Sequence, residues 1–369
     1  LIFTGSVPMP RPIEALIDKH ALQHNIALLR EKAGKRFMWS VVKADAYGHG
    51  LHGLLDIFKL TDGLALLDVD EAVAVRNLGW KKPVLLIEGF FTYDDLNKVD
   101  RYGIDTLIHS DWQIEDLKKF NFKNKARVHI KLNSGMNRLG FLPARAKTVK
   151  EELEKIPMVE VVDFVTHFAN SELTYPADGK LPVSGQLNNL VSLEELPCAK
   201  CFSNSGAILW HPEAADGAVR AGIALYGVSP DGNKTSEELG LTPVMTLRAG
   251  ILGTQNLQQG DAVGYGSKFI ADHPMRIAVL ACGYADGYPR QKAEDRFVLI
   301  HGKKAPLVGS VSMDMITVDI TDIPETKPGD WAELWGKDLS VNEVAALHGT
   351  IGYELLANLN IRVKRKFIG

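Results

Sequence analysis

Lys43 stands where an apolar run gives way to a loop, in Phe37–Gly50, FMWSVVKADAYGHG. An ammonium on the lip of a buried strand is costly, whereas a desolvated amine there can form an imine with a carbonyl. The ordinary alternative is a lysine whose stem packs while its head reaches water. Four further polar groups follow apolar, strand-like runs: Lys131, His167, Asn204-Ser205, and Arg220-Ala221-Gly222. Singly, each has a structural explanation: His167 as a satisfied core histidine, Ser205 as a helix cap, Arg220 as a surface charge. Together they suit pyridoxal phosphate (PLP) chemistry. Lys43 would hold the aldehyde as a Schiff base, and the ring would act as electron sink. Ser205 and the backbone N–H groups around Gly222-Ile223 would cradle the phosphate. His167 offers a flat face to the ring. Arg220, a permanent donor, favours an unprotonated ring nitrogen and so moderates the sink.

Such a set needs a scaffold that brings distant residues to one place. Apolar strand candidates recur at 37–42, 63–67, 84–87, 105–108, 127–132, 161–165, 200–203 and 218–221. Helical patterns lie between them, at Glu71–Leu78, Trp112–Lys119 behind Ser110, 144–156 and 186–196, after a first helix at 19–33 that Asp18 is placed to cap. Alternating strands and helices predict parallel pairing, and eight such units fit a closed (β/α)8, TIM-type barrel. In that barrel the active residues collect at the C-terminal strand ends, where the polar groups above fall. From about Leu241 the pattern turns strand-like and is punctuated by Gly, Asp and Pro, with a helical pattern mainly at Val341–Leu347. The prediction is an α/β chain with the barrel at residues 9–235 and a mostly β domain at 236–369, joined through the polar stretch 231–240.

Composition sets outer limits. The 369 residues suffice for two cores, and 46% hydrophobic with 24% charged residues is ordinary for a globular enzyme. A net charge of −3 gives no electrostatic case for nucleic acid or an anionic membrane, and no apolar run is long enough to span one. Three cysteines, Cys198, Cys201 and Cys282, are sparse and odd in number, as expected in the reducing cytoplasm. Cys198 and Cys201 lack the further ligands zinc needs, and His49 and His52 match no common metal spacing, so no metal is expected. The opening LIFTGSVPMPRP is no signal peptide; residues 1–8 are expected to be a fusion remnant, with Met9 the native start.

Several long stretches, in one order, resemble bacterial alanine racemases over about Arg11 to Lys366: VVKADAYGHG, HIKLNSGMNRLG, THF at 166–168, NSGA at 204–207, VRAGIALYG, VGYG, GYADGYPR, SVSMDM and GTIGYELL. The resemblance implies a fold-type III PLP enzyme that acts as a homodimer. It implies that Lys43 carries PLP and is one catalytic base, and that Tyr265 of the partner subunit is the other. By the same resemblance His167 stacks on the ring and Arg220 meets its nitrogen. Tyr47, Ser205, Gly222, Ile223 and Tyr353 form the phosphate shell, with Asn204 beside it. Arg138 meets the cofactor's phenolic oxygen and the substrate carboxylate. Met313, through its backbone, meets that carboxylate from across the dimer. Tyr284 lies at the entrance, and Lys131 matches a lysine carbamylated in some members.

Racemisation asks for this arrangement, because one base cannot easily serve both faces of a clamped substrate. Burial is expected to lower Lys43, and hydrogen bonding through His167 and Arg220 to help Tyr265 lose its proton. The expected activity interconverts L- and D-alanine, for peptidoglycan synthesis, for D-alanine breakdown, or both. The alternatives are a racemase of broader specificity and a fold-type III decarboxylase. The latter should carry a glycine-rich phosphate loop and a catalytic cysteine, and here only Cys282 precedes GYADGYPR.

Overall fold

The computed structural model describes residues 11–173, 179–291 and 295–369. Met9 and the segment 1–8 lie outside them. The chain divides into two compact units, one of residues 22–234, the other of 235–369 with the segment before Leu22.

The first unit is the eight-stranded α/β barrel. Its strands, Met38–Val41, Gly63–Leu66, Val84–Leu86, Asp105–Ile108, Ala126–Lys131, Val159–Val165, Ala199–Cys201 and Val219–Ala221, pair in parallel, and the last returns to the first. Between the seventh and eighth strands closure rests on isolated contacts, among them a parallel bridge of Ser203 with Val219, a bridge of Cys201 with Gly217, Ala218 N–H donating to Lys200 O at 2.8 Å and Arg220 N–H to Ser203 O at 2.9 Å. Most strands are buried on both faces, which explains their continuous Val, Leu and Ile runs. The layer outside them includes Leu96, Ile114, Leu117, Val128, Leu153 and Phe164. Each large aliphatic side chain removed from water contributes roughly 1.5–3 kcal/mol, so this layer fixes the strand ends in space.

The helices depart from expectation in detail. Asp18 caps the first helix, Lys19–Ala33, through the amides of His20 and Ala21. The pattern at 144–156 is a tight turn, Pro143–Arg145, leading into Ala146–Leu153. That at 186–196 is broken into Val183–Asn188 and a single turn, Val191–Leu193, because the adjoining Asn188 and Asn189 are poor helix formers. Helices Leu51–Phe58 and Tyr93–Tyr102 were not anticipated; the latter starts on a capping box between Thr92 and Asp95.

The second unit is built on one long strand, Met245–Leu257, which pairs antiparallel with Ile13–Asp18, Met275–Leu280 and Trp331–Trp335. Ile13–Asp18 lies within the 9–235 span expected for the barrel. Its alternating burial suits a sheet with one covered face, however, and it also pairs with Lys364–Ile368. Helices here are short, Val341–Leu347 and Gly352–Ala357.

Candidate active site

Lys43 follows the first barrel strand and opens a turn of reversed hand. Ala44, Asp45, Ala46 and Tyr47 have φ of 54°, 53°, 55° and 52°, one turn of left-handed helix in place of the expected loop. Each such non-glycine residue costs about 1–2 kcal/mol, so the surroundings must impose it. They do so with hydrogen bonds: Ala46 N–H to Val42 O and Gly48 N–H to Ala44 O, both 2.8 Å, and Gly50 N–H to Asp45 O at 3.0 Å. His49 is buried, and its Nδ1 lies 2.9 and 2.8 Å from the carbonyl oxygens of Ala46 and Tyr47. Tyr226 beneath donates its hydroxyl to Val41 O at 2.9 Å and packs against the rings of Tyr47 and His49.

The turn aims Tyr47 at a small cradle. Ser205 begins helix Ser205–Trp210, which Asn204 caps by accepting from Ala207 N–H at 3.1 Å. The Ser205 hydroxyl accepts from Gly222 N–H at 2.8 Å and from Ala224 N–H at 3.4 Å. A Cβ at position 222 would sit 3.2 Å from the Tyr47 hydroxyl and 3.6 Å from Ser205 Oγ, so the glycine keeps this space open. Ile223 follows on the same turn. Two hydroxyls and a turn backbone converging beside an amine fit a phosphate-bearing aldehyde.

Cations dominate the mouth around this cradle. Arg220 is buried and donates to the carbonyl oxygens of Cys201, Thr166 (2.5 Å) and Phe202 (3.4 Å), which fixes its guanidinium across three strands. Lys131 ends its strand beside a cavity that Arg138 and His167 also line. Among the described residues neither Lys43, Lys131 nor Arg138 makes an ion pair. Burial, with Arg138 adding and Glu88 opposing, lowers the Lys43 amine below the usual lysine range. Burial and the neighbouring Arg220, Arg138 and Lys43 bring Lys131 down to about 8. His167 falls to about 3 through burial and the same cations, so it is a neutral ring suited to stacking. Two residues at this mouth escaped the sequence reading: Glu88, whose charge acts on Lys43 and Lys131, and His109, whose Nε2 meets Glu88 O at 3.1 Å. Both directly follow barrel strands, and that position was the signal for them.

The remaining candidates belong to the second unit. Tyr265 heads a single turn between Gly264 (φ 72°) and Gly266 (φ 71°), and is 78% exposed. Met313 is exposed, and its carbonyl accepts from Ala285 N–H at 3.0 Å while Ser312 O accepts from Tyr284 N–H. A Cβ on Gly283 would strike the backbone of Ser312 and Met313, so that glycine lets the Tyr284 and Met313 segments touch. Asp286 is buried and anchors this corner through Arg11 (2.6 Å) and Arg362 (2.8 Å). Tyr353 lies half-buried in Gly352–Ala357. The cysteines are poor nucleophiles: burial pushes Cys198 up to about 11, Cys201 to about 12, and Cys282 well above its usual range. No helix among the described residues is long and apolar enough to cross a membrane.

Comparison with known proteins bears on both units. The family model "Alanine racemase, N-terminal domain" matches residues 17–230, and "Alanine racemase, C-terminal domain" matches 244–367. An alanine racemase of Janthinobacterium sp. is 46% identical over 357 residues, 96% of this chain and 99% of that protein. A catabolic alanine racemase of Klebsiella aerogenes is 43% identical, with the same coverage. The crystal structure of a biosynthetic alanine racemase from Pseudomonas aeruginosa superposes with a TM-score of 0.92 at 38% identity, covering 97% of this chain and all of that one. That of an alanine racemase from Bartonella henselae, with covalently bound pyridoxal phosphate, gives 0.87 at 31% identity, again over 97% and 100% of the two chains.

Proposed function

The chain belongs to the alanine racemase family and interconverts the enantiomers of alanine, and we propose that Lys43 of one copy and Tyr265 of a second are the two bases that do so. The placement of Lys43 carries this reading. It is an amine of lowered pKa on a conformationally costly turn, beside a cradle of Tyr47, Ser205 and Gly222. Lys43, Tyr47, Asn204, Ser205, Gly222, Ile223 and Tyr353 would hold pyridoxal phosphate, with His167 against its ring face and Arg220 at its nitrogen. When bound, that cofactor supplies an electron sink for the pair left as the alanine Cα proton departs.

The protein's own part is to clamp and to move one proton. Arg138 and the Met313 backbone of the second copy would hold the substrate carboxylate, so that Cα–H points along one of two opposite directions. Lys43 Nζ takes or returns the proton on one face, and lowering its pKa raises the share of neutral amine able to do so. Tyr265 Oη serves the other face. Its 78% exposure in a single chain suits a group lent to a neighbouring site, and Tyr284 would line the entrance. The buried, protonated Cys282 argues against the decarboxylase alternative, which needs a working thiol. The sparse free cysteines favour a cytoplasmic enzyme, supplying or consuming D-alanine.

Subunit mixing tests the sharing. Lys43→Ala and Tyr265→Phe homodimers should both be inactive. Random exchange between them should restore about a quarter of wild-type racemisation, since half the dimers are mixed and each has one intact site. No recovery after verified exchange would place both bases in one chain.

A further inference from the structure

Arg138 reaches the barrel mouth from a loop, not from a strand. The loop leaves strand Ala126–Lys131 and is closed at its base: Leu132 bridges Phe141, Phe141 N–H donates to Lys131 O, and Asn133 N–H donates to Phe141 O, both at 2.9 Å. Gly140 permits that closure. A Cβ there would stand 2.8 Å from the Leu132 backbone and 2.9 Å from that of Asn133. A closed base does not by itself fix residues 134–140, which belong to no helix or strand.

One side chain inside the loop does. Asn133 Oδ1 accepts from Gly135 N–H at 3.1 Å and from Asn137 N–H at 2.9 Å, and its Nδ2 donates to Asn137 Oδ1 at 3.0 Å. Two of these three bonds end on Asn137, the residue directly before Arg138. Asn137 is held at φ 55°, a left-handed conformation that asparagine tolerates and bulkier residues resist. From outside the loop, Asn189 Nδ2 donates to Ser134 O at 2.8 Å, and Ser134 Oγ meets Thr166 Oγ1 at 2.7 Å. The start of the loop is thus tied to neighbouring elements, and the stretch before Arg138 to Asn133. We propose that Asn133 is a positioning residue, which fixes the backbone at Asn137 so that Arg138 is presented, before substrate arrives, in the cavity it shares with Lys131 and His167.

The benefit is preorganisation. A guanidinium on a wandering backbone must lose that freedom when a carboxylate binds, and the loss subtracts from affinity. Asn133 removes the backbone share of that loss beforehand. The inference rests on Arg138 being the carboxylate contact proposed above, so its test pairs a kinetic readout with one that reads the loop directly.

A double-mutant cycle on the cofactor-loaded enzyme, with hydrogen–deuterium exchange of residues 132–141, is the measurement. Asn133→Ala should speed exchange in the loop about tenfold and raise KM for alanine about tenfold, with kcat and the cofactor absorption band kept within about threefold of wild type. Asn133→Asp keeps an oxygen for both amides, and the Asn137 amide can turn over to donate to it, so this variant should stay within about threefold of wild type. Because Asn133 acts through Arg138, adding Asn133→Ala to Arg138→Gln should cost less than about twofold more. If Asn133→Ala does not fold, Asn133→Ser, which lacks the reach and the amide donor of asparagine, takes its place. Unchanged loop exchange in either variant, or full additivity with an Arg138→Gln that itself raises KM, would overturn the inference and leave Arg138 as the carboxylate contact. Arg138→Gln with wild-type KM would instead remove that contact; faster loop exchange in Asn133→Ala would then still sustain Asn133 as the anchor of the loop, and unchanged exchange would not.

Discussion

Two positions apart on strand Ala126–Lys131, His129 and Lys131 face the same side of the sheet, are both buried, and titrate in opposite senses. Burial disfavours the charged form of each. At His129 that cost is outweighed by Asp163, 2.6 Å from Nδ1, and Asp105, 3.4 Å from Nε2, and the imidazole rises to about 9. At Lys131 burial is reinforced by Arg220, Arg138 and Lys43, with Glu88 opposing, and the amine falls to about 8. One layer of the barrel interior is therefore a closed ion network, and the layer above it is a set of cations awaiting an anion. The first is a structural device and the second a binding one, although both are charges buried in a single barrel.

The widest separation of the two layers comes from deleting one group in each. Lys43→Ala should abolish racemisation by more than about a thousandfold while Tm moves by no more than about 2 °C, as read by chiral analysis and thermal melting. Asp163→Ala should do the reverse. It leaves His129 without its closer partner, costs about 3–5 kcal/mol, and lowers Tm by on the order of 10 °C, with kcat/KM of the folded protein kept within a few-fold. An Asp163→Ala enzyme of normal Tm and lost activity would erase the distinction.

How much of this was legible in sequence follows the same division. The barrel and the mouth residues could be read because strands repeat as apolar runs and the residue ending each run is visible. Lys131 and His167 needed nothing more. The ion network could not, because His129 meets Asp163 only after a crossover has laid two strands side by side. Glu88 and His109 also end strands, and were passed over because neither belongs to a distinctive motif. The left-handed turn was hidden for another reason: Gly48 and Gly50 advertise unusual backbone, whereas Ala44 and Ala46 do not. Likewise Ile13–Asp18 is a good strand locally, but its partner, Met245–Leu257, lies more than two hundred residues on. Tyr265 gained meaning only from the VGYG resemblance, since an exposed tyrosine has no signature of its own.

Titration sharpens the contrast, because the two layers respond to pH with opposite signs. His129 binds its proton more tightly folded than unfolded. Its contribution is complete below pH 6.5 and is lost as pH rises through about 9, a change on the order of 3 kcal/mol. Lys131 binds its proton less tightly folded. Its penalty is full below about pH 8 and is relieved as pH rises towards 10.5, where the unfolded chain also loses the proton. Denaturant unfolding between pH 6 and 10.5 should show stability falling to about pH 8, staying level to about pH 9 where the two slopes cancel, and recovering above it. Asp163→Ala should flatten the fall, and Lys131→Met should remove the later recovery. A wild-type profile flat from pH 6.5 to 8 would mean that His129 is not held charged.

The smallest effect concerns what the open layer does with its excess charge. A lysine near pKa 8 is partly neutral at neutral pH, and a neutral amine attacks carbon dioxide to give a carbamate and a proton. At Lys131 that exchange replaces a cation crowded by Arg138, Arg220 and Lys43 with an anion, which could then orient Arg138 towards the substrate carboxylate. Protein equilibrated with ¹³C-bicarbonate should show one carbamate carbon signal that is absent from Lys131→Met, and the variant should lose roughly tenfold in kcat/KM, about 1.4 kcal/mol. A wild-type protein without that signal would leave Lys131 as an amine and make Glu88 the carboxylate that answers these cations, in which case Glu88→Gln, not Lys131→Met, would carry the larger loss.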